Sequence, residues 1–173
     1  MKIKVLKEAG YEEAMLGLSL SFNREPADMP AVAKGLAKRG GGHGKFLESI
    51  AVWLDVTAPM DFWLQADTYR VGMTKQSEST MHTLTRTKLA QENFEAPIPL
   101  SYLNYLNSCI DGGAPIEFLK KMLPCGFLQR RVLCTNYKTL QHIINQRKGH
   151  KLPEWKTFIE SLRPLEHYDL IGE

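Results

Sequence analysis

Ile50-Ala51-Val52-Trp53-Leu54-Asp55-Val56-Thr57-Ala58-Pro59 is the stretch that decides the fold class. Ile50, Val52, Leu54 and Val56 recur at period two, the spacing that puts every second side chain on one face of a strand. The strand signal covers 46–57, and Pro59 closes it. Upstream, residues 1–6 alternate polar and apolar and read as a half-buried strand. Residues 11–22, rich in Ala, Leu and Met, read as a helix. The two prolines of 23–30 mark a loop. Val32 and Leu36 set a helix over 31–39, which Gly40-Gly41-Gly42 stops. Downstream, 60–69 reads as a helix with Phe62, Trp63 and Ala66 on one side. Residues 70–87 are polar, crowded with Ser and Thr, and without a period, so they read as a loop that could line a ligand.

Further helices are expected over 100–110, 116–122 and 137–147. In the last of these Leu140, Ile143 and Ile144 repeat at helical spacing and Asn136 is placed to cap. A strand is expected over 130–135, and a final helix starts at Pro153 and runs to Leu162. Strands interspersed with helices, without a regular βαβ alternation, point to an α+β fold. The expected architecture is a central, mostly antiparallel sheet flanked by helices, plus a helical segment, in a single domain over 1–173.

The 173 residues include 43% hydrophobic and 24% charged residues, the balance of a chain that buries a core. A net charge of +3, from 22 basic and 19 acidic residues, is too weak an excess to indicate nucleic acid but suits a small anionic ligand. The three cysteines are odd in number and lack metal-ligand spacing, which suggests reduced thiols and a cytoplasmic location. No apolar run reaches the ~20 residues of a membrane helix. His142 and His150 with Glu154 invite a metal reading, but Gly149 separates the two histidines and their spacing suits no single helix face. No phosphate-binding or dinucleotide glycine fingerprint is present.

Three blocks carry a resemblance. The first holds Gly42-His43, Leu47-Glu48, Val56-Thr57-Ala58-Pro59, Gln65 and Arg70. The second is Thr68-Tyr69-Arg70-Val71-Gly72-Met73-Thr74-Lys75-Gln76-Ser77-Glu78-Ser79-Thr80-Met81. The third holds Lys120, Leu123-Pro124, Cys134-Thr135-Asn136, Lys138, Leu140 and Arg147. In order and spacing they resemble the flavin-dependent thymidylate synthases. That family has a Gly-His pair, a strand ending Val-x-Ala-Pro, a Gln, an Arg-His-Arg signature with a serine and a closing Arg-Tyr, and a late helix ending in arginine. The signature is altered here: Arg70 is retained, Thr68 and Tyr69 replace Arg and His, Gln76 stands for Glu, and Thr80-Met81 replaces Arg-Tyr.

The resemblance implies methylation of dUMP to dTMP with methylenetetrahydrofolate and reduced FAD, NADPH serving as a further co-substrate. It assigns Arg147 to polarising the pyrimidine and Ser77, Ser79 and His43 to the catalytic site. It places Gln65, Gln76, Lys75, Glu78, Thr80 and Lys120 at the substrate. Arg70, Tyr69, Thr68, Asn136, Lys138 and His142 fall at cofactor positions. It also implies a homotetramer with sites shared between subunits, no membrane partner, and a chain shortened between 83 and 119. Losing two signature donors weakens the expected grip on FAD. The alternative reading is therefore an altered protein of the same fold that binds a nucleotide without the redox step.

Overall fold

The computed structural model describes residues 1–172. Its centre is a four-stranded sheet in the order β1-β2-β4-β3, formed by β1 (Lys2–Ala9), β2 (Ala51–Pro59), β3 (Met73–Ser77) and β4 (Leu128–Asn136). Every neighbouring pair is antiparallel. Helices α1 (Tyr11–Phe22), α2 (Met29–Arg39), α3 (Met60–Ala66), α4 (Thr80–Thr83), α5 (Leu100–Asp111), α6 (Ile116–Met122), α7 (Tyr137–Arg147) and α8 (Pro153–Glu160) flank it. The α+β expectation therefore holds.

The alternation in β2 is realised in burial. Val52, Leu54, Val56 and Ala58 are fully enclosed, while the residues between them are partly exposed. The enclosed face packs with Phe62 and Trp63 of α3, Leu140 and Ile143 of α7, and Trp155 and Phe158 of α8. A second apolar cluster, separate from the first, gathers Leu84, Phe94, Leu103, Leu106, Leu119 and Phe127 around α5 and α6. It contains the Phe94–Phe127 bridge and is tied to the sheet region by Met60 N, which donates to the Cys125 carbonyl at 2.8 Å.

The structure departs from the sequence reading in four places, one of them the short helix α4, Thr80–Thr83, inside the stretch read as loop. Residues 73–77 form the edge strand β3 rather than loop. Residues Gly41–Ser49 wind as 3-10 helix, so the strand begins at Ala51 rather than 46. Helix α3 ends at Ala66, and Tyr69 lies in the turn beyond it. Cys109, Cys125 and Cys134 are free, and no helix among the described residues is long and apolar enough to cross a membrane.

Two local features are testable. Gly10 joins β1 to α1 at φ 93°, and a Cβ there would sit 2.3 Å from the Ser49 carbonyl oxygen. Gly10→Ala combines left-handed strain with a backbone clash, so thermal unfolding of the variant should show a Tm lowered by roughly 3–10 °C. Arg130 grips Asp55 of the neighbouring strand through Nε and Nη2, at 2.8 and 2.6 Å. That bond holds the Asp55 carboxyl below its usual range. A depressed carboxyl stabilises the fold above its unfolded value and loses that contribution as pH falls through the folded one. Asp55→Asn should therefore cost about 0.5–1 kcal/mol at neutral pH in urea unfolding, and the gap should close only in acid.

Candidate functional site

The site grows from the end of β2. Pro59 starts α3, and the chain leaves that helix through a turn in which Tyr69 N donates to the Ala66 carbonyl at 3.2 Å. It then reverses into β3 at Gly72, whose φ is 69°. A Cβ at Gly72 would meet Thr139 Oγ1 at 2.4 Å and Asn136 Nδ2 at 2.9 Å, so this approach needs glycine. Two hydroxyls hold the turn against the start of α7: Thr139 donates to the Val71 carbonyl and Thr135 to the Gly72 carbonyl. Asn136 Oδ1 accepts from Thr139 N at 2.9 Å, the cap its sequence position suggested.

Between this turn and α7 lies a groove of about 320 Å³ lined by Thr68, Tyr69, Arg70, Val71, Lys138, Thr139 and His142. Five of the six expected cofactor residues thus converge. The sixth, Asn136, is spent on the helix cap and does not line the groove. Arg70 forms no ion pair among the described residues, and neither does Lys138, whose ammonium donates to the Gly41 carbonyl at 3.2 Å. Two uncompensated cations beside an imidazole suit an anionic ligand.

Tyr69 connects the groove to a second cluster. Its hydroxyl donates to Gln146 Oε1 at 2.9 Å and accepts from Arg147 Nε at 2.7 Å. Arg147 Nη1 donates to Gln65 Oε1 at 3.0 Å, and the same oxygen accepts from Trp155 Nε1 at 2.9 Å. The guanidinium lies 4.5 Å from the Trp155 ring and 5.4 Å from the Tyr69 ring. Arg147 and Gln65 are therefore bound to one another, and Arg147 lies behind Tyr69 rather than in the groove wall.

A third cluster stands under the Tyr69 backbone. Lys75 Nζ donates to the Tyr69 carbonyl at 2.7 Å and lies 3.7 Å from Asp67. Arg131 donates to both Asp67 oxygens and to Gln129 Oε1, with its guanidinium 4.3 Å from the Trp63 ring. Burial pushes the Lys75 ammonium below its usual range; Asp67 opposes the shift and Arg131 reinforces it. Lys75 thus serves the Tyr69 turn instead of pointing freely at a ligand.

The other expected residues lie elsewhere within one chain. Gln76 and Ser77 are on the exposed edge strand, paired in register with Val132 and Arg131. Glu78 Oε1 accepts from Arg130 N, Ser79 precedes α4, and Thr80 opens it. Lys120 is exposed on α6. His43 lines a different cleft of about 410 Å³, with Glu13, Ser21, Lys45 and Glu48 among its walls. None of these lines the groove. No group of three or more potential metal ligands occurs among the described residues.

The sequence reading did not single out Asp67, Arg131, Gln146 or Trp155 as site residues. Arg131 had one usable signal: in a strand its side chain must face opposite to that of Arg130, so the pair could not both be solvated on one face. Trp155 is buried in the core, and its indole nitrogen and one ring face are turned to Gln65 and Arg147.

Comparison with solved structures gives the fold its relatives. A crystal structure of flavin-dependent thymidylate synthase ThyX from Helicobacter pylori, complexed with FAD and dUMP, superposes with a TM-score of 0.83. It is 14% identical, and the match covers 99% of this chain and 98% of that one. This chain has the fold of a flavin-dependent thymidylate synthase. A second structure of the Helicobacter pylori protein with FAD and dUMP gives a TM-score of 0.82 at 15% identity, covering 99% of this chain and 97% of that one. No protein-family model matches the sequence, and a search of curated proteins gives no significant match.

The charge cluster predicts a stability effect. Asp67→Asn leaves Lys75 and Arg131 without their carboxylate and should cost about 1–2 kcal/mol in denaturant unfolding, the exposed side of Asp67 keeping the loss below that of a fully enclosed pair.

Proposed function

We propose that this protein is a single-domain, flavin-dependent thymidylate synthase-like enzyme that methylates dUMP with methylenetetrahydrofolate and reduced FAD, NADPH being the further co-substrate. The observation that carries the reading is the groove holding Arg70, Lys138 and His142 beside Thr68 and Tyr69. It occurs in a fold shared with a protein complexed with FAD and dUMP. The residues fit a flavin dinucleotide chemically: Arg70 and Lys138 supply charge for its pyrophosphate, and the Tyr69 and His142 rings offer apolar surface. When bound, the reduced flavin supplies hydride.

The chain's own groups divide the remaining work. Arg147 is half-buried and held in one plane, which suits it to polarising a pyrimidine as negative charge develops. The hydroxyls of Ser77, Ser79 and Thr80, the amide of Gln76 and the ammonium of Lys120 are donors for substrate phosphate, and Glu78 fixes the segment that carries the first four. His43 stands in a separate cleft of the chain, so a shared site requires another copy to bring these groups together. Exposed Leu16 and Leu20, one turn apart on α1, offer an apolar patch that such a copy would cover, in keeping with a homotetramer.

A second reading is favoured by one contact. Tyr69 stands at the signature histidine and spends its hydroxyl on Arg147 and Gln146. This suits a protein of the same fold that holds a nucleotide without the flavin redox step.

The purified protein separates the two. The enzyme should be yellow or turn yellow with added FAD, and should release tritium from deoxyuridylate labelled at carbon five. Arg147→Lys should cut that release by roughly a hundredfold. Nucleotide binding by calorimetry, in a colourless protein that takes up no FAD and releases no tritium, would select the second reading. Absence of both flavin and nucleotide binding ends both.

A further inference from the structure

We propose that Trp155 is a positioning residue for base selection: it locks the Gln65 side-chain amide so that Gln65 offers a ligand its NH2 group and not its oxygen, which favours uracil over cytosine. Three helices meet at that amide. Gln65 sits on α3, Arg147 ends α7 and Trp155 lies in the first turn of α8. Gln65 Oε1 accepts from Arg147 Nη1 at 3.0 Å and from Trp155 Nε1 at 2.9 Å. An amide oxygen has two lone pairs, and both are taken.

The orientation is set by chemistry. A guanidinium and an indole N–H donate and cannot accept, so turning the amide over would set its NH2 against two donors and break both bonds. The indole is itself held. Trp155 is buried and packs on the rings of Phe62 and Phe158, with centroids 4.7 and 5.8 Å away. Gln65 is only half-buried, and its Nε2 has no partner among the described residues. The group left for a ligand is therefore a donor. Uracil carries an N–H at ring nitrogen three and a carbonyl at carbon four; cytosine has an acceptor nitrogen and an amino group there. Gln65 is bonded to Arg147, the residue assigned above to the pyrimidine, and it reads the carbonyl at carbon four. The amino group of cytosine would face it donor to donor. The assignment to a pyrimidine rests on the nucleotide reading above; the orientation of the amide does not.

Calorimetric titration of the full-length protein with dUMP and dCMP tests this, because the shared phosphate cancels from the ratio of Kd values. The unsubstituted protein should prefer dUMP by roughly tenfold or more, the worth of one hydrogen bond made rather than opposed. Gln65→Glu keeps an oxygen for Arg147 and Trp155 but turns an acceptor outward, so the preference should vanish or reverse without a fall in Tm. Trp155→Phe keeps a ring, frees the Gln65 oxygen and should narrow the preference; Gln65→Glu keeps the test decisive if that variant does not fold. An unchanged preference in Gln65→Glu, or none in the unsubstituted protein, overturns the proposal. If neither nucleotide binds, the nucleotide reading fails, and neutron diffraction from the deuterated protein decides the amide. Deuterons on its outward atom uphold the lock, and deuterons facing Trp155 overturn it.

Discussion

The pairing of β2 with β4 is the constraint on which the other parts depend. Nine antiparallel pairs run from Ala51–Asn136 to Pro59–Leu128. At one end this ladder sets Asn136 where it caps α7, and so aims Lys138, Thr139 and His142. At the other end it delivers Pro59, which begins α3 and leads to Gln65 and Tyr69. A slip of one residue would turn every side chain of β2 to the opposite face and separate the two walls of the groove. The register is fixed by the enclosed row Val52, Leu54, Val56 and Ala58.

Parts of the molecule with a strong apolar period were readable from sequence. Helix α7 with its cap and helix α5 emerged within one residue of their limits, and β2 was found with its start set five residues early. Strand β3 was not readable, for a physical reason. It is an edge strand bonded on one side only, so Thr74, Gln76 and Ser77 face solvent and leave no alternation to detect. Its pairing is a property of β4, whose free backbone edge it completes. The same holds for the 3-10 segment at Gly41–Ser49, where glycine spacing gives no period.

The candidate site divides similarly. Arg70, Thr68, Tyr69, Lys138 and His142 were found through block order and they converge. The arginine cluster was only half found, since Trp155, Gln146 and Asp67 act through tertiary contacts that no local spacing encodes. Tyr69 shows why an altered signature is not simply a weakened one. Its hydroxyl bonds both Gln146 and Arg147, so the replacement adds a contact as well as removing an imidazole.

The second apolar cluster has a consequence for how the molecule breathes. The segment from Leu84 to Phe127 gathers its own buried side chains and joins the main body by few backbone bonds, among them the one between Met60 and Cys125. Such a unit can open as a local foldon while the sheet stays closed, and its amides then exchange with solvent ahead of those in β2 and β4.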